Sequence, residues 1–328
     1  MHSTMVNAIE VSHLRREFIS NVGVIKRSKK EIVAVDDVSF EIKEGELFGL
    51  LGPNGAGKTT TTKMLTTLLI PTKGSATIKG FDIVDGAEEV RRRIGFIFGG
   101  ERGLYWRLSG IDNLRYFASL YGIPPEVSKK RIEYLLELVG LKGRGDENVG
   151  GYSRGMKQRL HVARTLLHDP DILFLDEPTL GLDPVGAREF RSVIRNLKDE
   201  KKTILLTTHY MFEADALCDR IGVINHGNII ALDTPSGLKT HVKDLNVVEI
   251  ETFGVPESVV EKLRALTFVD SLNVEDLDQK QMLLIQTERG AEAVPDIMAA
   301  VEGQRVGRVI VREPTLEDAY VRLVGGSA

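Results

Sequence analysis

The chain has 328 residues, 42% of them hydrophobic and 27% charged, with a formal net charge of −4. That is enough for one large and one smaller domain around a substantial buried core, and the lack of a basic excess argues against a dedicated nucleic-acid binder. A single cysteine, Cys218, excludes an intrachain disulfide and fits a reducing compartment. No stretch approaches the roughly 20 apolar residues of a membrane-spanning helix. Residues 1–10 lack the charged start and apolar block of a secretory signal. A soluble protein is expected, one that works at a membrane only through a partner.

Residues 8–11 read as a short strand and residues 33–42 as a second, with polar and apolar positions roughly alternating. Between them, residues 19–31 carry Lys26, Arg27, Lys29 and Lys30 close together. Such a run reads either as a solvated hairpin or as a contact for anionic lipid headgroups or a partner. Residues 46–51 form a short apolar run, read as a buried strand. It leads into Gly52, Pro53, Asn54, Gly55, Ala56, Gly57, Lys58 and Thr59, followed by Thr60. This matches G-x-x-x-x-G-K-[ST], a phosphate-binding loop. Its glycines let successive N–H groups point at one anion, at the positive end of a helix. Lys58 reaches the β- and γ-phosphates as a point charge, and Thr59 offers its hydroxyl to a magnesium ion. The helix is expected over residues 60–69, stopped by Pro71.

Residues 75–83 read as a hairpin with Gly80 in its turn, and residues 90–98 lead into a break at Gly99 and Gly100. From 104 to 140 the period is helical. Ile111, Leu114, Phe117, Ala118 and Tyr121 share one face, Ile132, Leu135, Leu136 and Val139 another, and Pro124 and Pro125 separate the two helices. Residues 172–175 and 203–207 are continuous apolar runs, the pattern of a parallel sheet covered on both faces, with a helix over 188–198 between them. The first run ends in Asp176 and Glu177. Asp176 suits the magnesium ion, and Glu177 would face the γ-phosphate and accept a proton from attacking water. Residues 221–224 and 228–232 read as a closing hairpin. A domain boundary falls at 233–235. Beyond it the order is strand 247–252, helix 257–266, strand 269–274, strand 281–287, helix 291–301, strand 306–311 and helix 315–323. That is a split βαβ, ferredoxin-like order.

Three further stretches complete a pattern. Tyr152, Ser153, Arg154, Gly155, Met156, Lys157 and Gln158 open a helix and resemble the signature of ABC-type ATPases. Gly181, Leu182, Asp183 and Pro184 resemble their D-loop, and His209 their switch histidine. The five motifs cover residues 52–209, and the resemblance extends to about 235. Residues 210–221 and 314–320 resemble the ATP-binding subunits of bacterial drug, antibiotic and sodium exporters.

The resemblance implies ATP and Mg²⁺ as ligands and a homodimer, or a heterodimer with a similar ATPase, closed head to tail. Ser153, Arg154, Gly155 and Met156 would meet the partner's ATP, with Ser153 as a helix N-cap. Asp183 would cross the interface, and His209 would hold the γ-phosphate. It also implies an α/β ATPase domain over 1–235 with a helical insertion at about 104–168, and an α+β accessory domain over 236–328. The subunit would be cytoplasmic, energising export through a separate membrane permease on whose inner face it sits, with no nucleic-acid partner.

The sequence departs from the family pattern in places. Gly100 stands where a glutamine is usual, and either Glu101 or a water would take its place. Arg154 stands for a glycine, and Met156 for a glutamine. Phe18 is either the adenine stacker or a core residue, and Tyr105 and Trp106 are either a docking surface or buried. Two rival readings are a ribosome- or DNA-associated ATPase and a low-turnover, ATP-gated regulatory module.

Overall fold

The computed structural model describes residues 7–22, 28–98, 103–242, 245–277 and 280–325. The expectations for Lys26, Arg27, Gly99, Gly100 and Glu101 lie outside the described residues. Contacts divide the chain into two compact units, Met1–Pro235 and Ser236–Ala328.

In the first unit, β1 (Asn7–Val22) and β2 (Ser28–Lys43) form one long antiparallel hairpin. The sequence pattern marks only residues 8–11 of β1 and 33–42 of β2. The outer part of the hairpin is held by ladder pairing, Phe18 opposite Ile32 and Ile19 opposite Glu31. Ile19 and Ile32 are exposed there, so no apolar alternation announces it. The ladder slips beside His13 and Asp37, whose φ angles of 51° and 56° are those of bulges.

There follow β3 (Leu47–Leu51), α1 (Lys58–Leu65), β4 (Lys73–Ile78), β5 (Phe81–Asp82), α2 (Ala87–Arg93) and β6 (Ile94–Phe98). Helix α1 stops a turn before the expected end. Thr67 turns to φ 61°, and the N–H groups of Leu68 and Leu69 both return to the Lys63 carbonyl, at 2.9 and 3.0 Å. The insertion is α3 (Gly110–Leu120), α4 (Pro125–Leu138), a 3₁₀ turn at Val149–Gly151 and α5 (Arg154–Thr165). The chain then returns to α/β order with β7 (Ile172–Asp176), α6 (Pro184–Asp199), β8 (Thr203–Thr208), α7 (Met211–Leu217), β9 (Arg220–Asn225) and β10 (Asn228–Asp233).

Two sheets result. One is antiparallel, in the order β2-β1-β4-β5. The other runs β10-β9-β3-β8-β7-β6, parallel except for the β9–β10 hairpin. Every residue of β3, β7 and β8 is buried, which is why these strands read as unbroken apolar runs. One core joins both sheets and α1, with Ile9, Leu14, Val35, Phe48, Met64, Phe174 and Leu205 in it. Phe40 and Phe48 stack across it, ring centroids 5.1 Å apart.

The second unit begins at Ser236, within α8 (Pro235–Lys239), and a 3₁₀ turn follows at Thr240–Val242. It continues with β11 (Asn246–Thr252), α9 (Glu257–Arg264), β12 (Ser271–Leu277), β13 (Lys280–Thr287), α10 (Val294–Ala300), β14 (Val306–Arg312) and α11 (Leu316–Gly325). Its sheet is antiparallel throughout, in the order β12-β13-β11-β14. Val248, Ile250, Leu283 and Ile285 pack against Leu263 and Ile297 of α9 and α10.

His161 on α5 is buried, and its Nε2 has no hydrogen-bond partner among the described residues. Burial, then Arg164, pushes its imidazole down to about 4 from an ordinary 6.5. Between those values the unfolded chain binds a proton that the native chain refuses, so stability falls as pH drops through the window. This residue is expected to cost on the order of 3 kcal/mol by the bottom of the window. Urea denaturation at neutral and acidic pH checks it, because His161→Leu should show a smaller acid loss than the native chain.

Candidate active site

The loop after β3 is shaped by glycines that no other residue replaces. Gly55 and Gly57 have φ of 83° and 111°. A Cβ on Gly52 would lie 2.2 Å from the Ile224 carbonyl oxygen, and one on Gly57 2.6 Å from that of Ala34. The loop is tied to the β9–β10 turn, where Gly227 N donates to Ala56 O at 2.9 Å. Gly57, in the left-handed conformation, is the N-cap of α1. It offers no side chain, and the helix has no acidic residue in its first turn. The free N–H groups of that end are left for an anion. A cavity of about 140 Å³ opens here, lined by Pro53, Asn54, Gly55, Gly57, Lys58, Thr59 and Thr60, with Ala34 and Glu177.

Lys58 is only 4% exposed. Its Nζ donates to Gly52 O at 2.7 Å and Pro53 O at 3.1 Å, and lies 3.1 Å from Glu177 Oε1. A buried ammonium is thus matched by a carboxylate, which offsets part of the penalty of burying either charge alone. Thr59 Oγ1 donates to Asp176 Oδ2 at 2.9 Å, and Thr207 Oγ1 donates to Asp176 Oδ1. Glu177 has a φ of 47°, a strained backbone held by its N–H donating to both Thr207 O and Thr207 Oγ1 at 3.1 Å. His209 Nδ1 lies 3.4 Å from Glu177 Oε2 without a hydrogen bond, so the pair attracts only when the ring is protonated. The ring packs on Tyr210 with centroids 4.1 Å apart.

The structure therefore brings together residues 52–60, Asp176, Glu177 and His209. It does not bring Phe18 to them. Phe18 lies in β1 opposite Ile32, with the Arg16 guanidinium 4.8 Å over its ring, and does not line the loop cavity. Ser153 caps α5, its Oγ accepting from Met156 N at 3.2 Å, and Gly155 is buried. Ser153, Gly155 and Met156 do not line the cavity of their own chain. Asp183 caps α6, its Oδ1 accepting from Val185 N at 3.0 Å and Gly186 N at 2.9 Å. Tyr105 and Trp106 are exposed rather than buried, with Lys157 Nζ 5.3 Å over the indole.

Sequence reasoning missed Thr207, which fixes both carboxylate residues. The signal was present as a pair of threonines ending an apolar strand, but only the parallel register, Asp176 opposite Thr207, gives it meaning. It also missed Glu213, buried on α7 and accepting from Thr179 Oγ1 at 3.2 Å. Burial raises the carboxyl of Glu213 above its ordinary value.

The adjacent oxygens of Thr59 and Asp176 are hard donors of the kind magnesium takes, so the residues fit that ion. Among the described residues no His, Cys, Asp and Glu cluster offers an alternative metal site.

Comparison with known proteins agrees with this chemistry. The family model described as ABC transporter matches residues 35–180. The ABC transporter ATP-binding protein NatA of Bacillus subtilis is 48% identical over 202 residues, 62% of this chain and 82% of its own. The Nod factor export ATP-binding protein I of Ralstonia nicotianae is 36% identical over 307 residues, 94% of each chain. A solved dimeric ATP-binding cassette, in a post-hydrolysis state bound to ADP and Pi, matches with a TM-score of 0.59 at 25% identity. That match covers 69% of this chain and 98% of the other. The fold and site are those of a P-loop ATPase. The chain belongs to the ABC transporter family and is one of its ATP-binding, ATP-hydrolysing subunits.

Gly52→Ala is expected to force its Cβ into the Ile224 carbonyl, 2.2 Å away. Such overpacking costs about 1–3 kcal/mol. Thermal melting should show this loss, and equilibrium titration should show weaker ATP binding.

Proposed function

We propose that two copies of this chain, or one copy and a similar ATPase, close head to tail on two ATP molecules and reopen after hydrolysis. That cycle drives export through a separate integral-membrane permease at the inner face of the cell membrane. The observation that carries the reading is the convergence of Lys58, Thr59, Asp176, Glu177 and His209 on one loop.

In this reading the loop N–H groups and Lys58 take the β- and γ-phosphates, and the phosphate displaces Glu177 from Lys58. The freed carboxylate accepts a proton as a water oxygen attacks the γ-phosphorus and the bond to the bridging oxygen breaks, giving ADP and inorganic phosphate. Thr59 and Asp176 hold Mg²⁺, which neutralises phosphate charge when bound. His209 steadies the γ-phosphate. Ser153, Gly155 and the N–H groups at the start of α5 close on the partner's nucleotide, and Asp183 lies at the same interface.

Several observations support the rest. The solved cassette named above is dimeric, and the Ralstonia relative is named for export. No helix of the described residues is long and apolar enough to cross a membrane. Exposed Tyr105 and Trp106 offer the permease an aromatic anchor. Residues 1–235 serve as the nucleotide-binding domain and 236–328 as an accessory domain that stabilises the dimer. The strand order β12-β13-β11-β14 supports a ferredoxin-like module there.

Glu177→Gln is expected to bind ATP and dimerise on it, while turnover falls by about 10²-fold or more. Size-exclusion chromatography with ATP and a phosphate-release assay measure the two. Retained turnover rejects Glu177 as the base.

A further inference from the structure

Helix α5 begins with Arg154 and has no acidic residue in its first turn, so a cation sits on the positive end of its dipole. Arg154 is exposed, and among the described residues no side chain pairs with it. A local charge rule is broken here without compensation among the described residues, which directs attention to what the guanidinium touches.

It touches Gly181. A Cβ on that residue would lie 2.1 Å from Arg154 Nη1, 2.5 Å from Cζ and 2.8 Å from Nη2. The guanidinium therefore fills the space that any side chain at 181 would need. Gly181 has a φ of 73° and stands in the short run that joins Glu177 to α6. That run is tightly wound. Leu180 N donates to Glu177 O at 3.1 Å, Leu182 N donates to Thr179 O at 3.1 Å, and Asp183 then caps α6. A Cβ on Gly155 would be 3.4 Å from the Gly186 Cα, in the first turn of α6. The start of α5 thus lies close both to the run that leaves Glu177 and to the start of α6. Arg154 also lines a cavity of about 490 Å³ with Asn54, Thr59, Asp176 and Glu177 of its own chain.

We propose that Arg154 is a positioning residue that couples the two nucleotide sites of the dimer. Its guanidinium transmits the position of residues 177–183, set by the nucleotide of its own chain, to the start of α5. That helix end closes on the nucleotide of the other chain. The proposal rests on the head-to-tail dimer inferred above. The flat fork, rather than the charge alone, does the work, because it is the plane that lies over Gly181.

The test is the cooperativity of ATP turnover by the purified full chain. Native protein, Arg154→Ala, Arg154→Lys, Gly181→Ala and the Arg154→Ala/Gly181→Ala double variant are compared. The native Hill coefficient is expected to approach the number of sites, about 2, and that of Arg154→Ala to fall to about 1. Arg154→Lys should fall with it. Gly181→Ala should lower cooperativity in the native background, where the new Cβ evicts the guanidinium, and add nothing to Arg154→Ala. Strain from the positive φ of residue 181 is present in both backgrounds and cancels in this cycle. Native cooperativity in Arg154→Ala, or additive effects of the two changes, overturns the proposal. A native Hill coefficient of about 1 also overturns it. If Glu177→Gln still dimerises on ATP in that case, only the coupling fails; if it does not, the dimer reading fails as well.

Discussion

The site depends on the register of three parallel strands. Leu51 of β3 lies opposite Thr208 of β8, and Asp176 of β7 opposite Thr207. The three strands therefore finish at one level. The phosphate loop, the carboxylate pair and the histidine leave the sheet side by side, at the carboxyl edge where open α/β sheets bind ligands. Each strand is buried along its length. Slipping one strand would move Thr207 away from Asp176 and leave a buried carboxylate short of a donor, which is costly.

Charge balance is the second constraint. Lys58 is nearly inaccessible, so its ammonium needs an anion nearby. Glu177 serves, at 3.1 Å, from a backbone in a sparsely populated conformation. That strain is tolerated because Thr207 holds the Glu177 N–H through two acceptors. A polyphosphate offers Lys58 more negative charge than one carboxylate does. In the function proposed above, the contact that satisfies the lysine is one the substrate would exchange, and the exchange would put a free carboxylate beside the phosphate. The helix ends of α5 and α6 show related economy, with Ser153 and Asp183 each spending a side-chain oxygen on its own helix.

Elements with a strong period are legible in the amino-acid order itself. The buried strands, the paired helices split by Pro124 and Pro125, and the alternating elements of the C-terminal unit follow from local pattern alone. The features that pattern does not mark have separate causes. The outer parts of β1 and β2 exist through ladder pairing and carry exposed side chains, so nothing periodic marks them. The early end of α1 comes from a positive φ at Thr67, a residue type that rarely signals a left-handed turn. Tyr105 and Trp106 are aromatic, and aromatic content alone does not decide between core and surface; the structure leaves both exposed. Phe18 sits on the same exposed hairpin, under Arg16.

The sequence by itself determined the chemistry of the chain. The glycine spacing, the lysine and threonine that follow it, and an apolar strand ending in two carboxylates are local features, and local backbone sterics and burial dictate their meaning. Tertiary structure alone decided which groups meet. Thr207 against Asp176, Glu177 against Lys58, and Arg154 over Gly181 join residues far apart in the chain. Such pairs are set by strand register and by how closely two helices approach, and neither quantity is written in any single stretch of sequence.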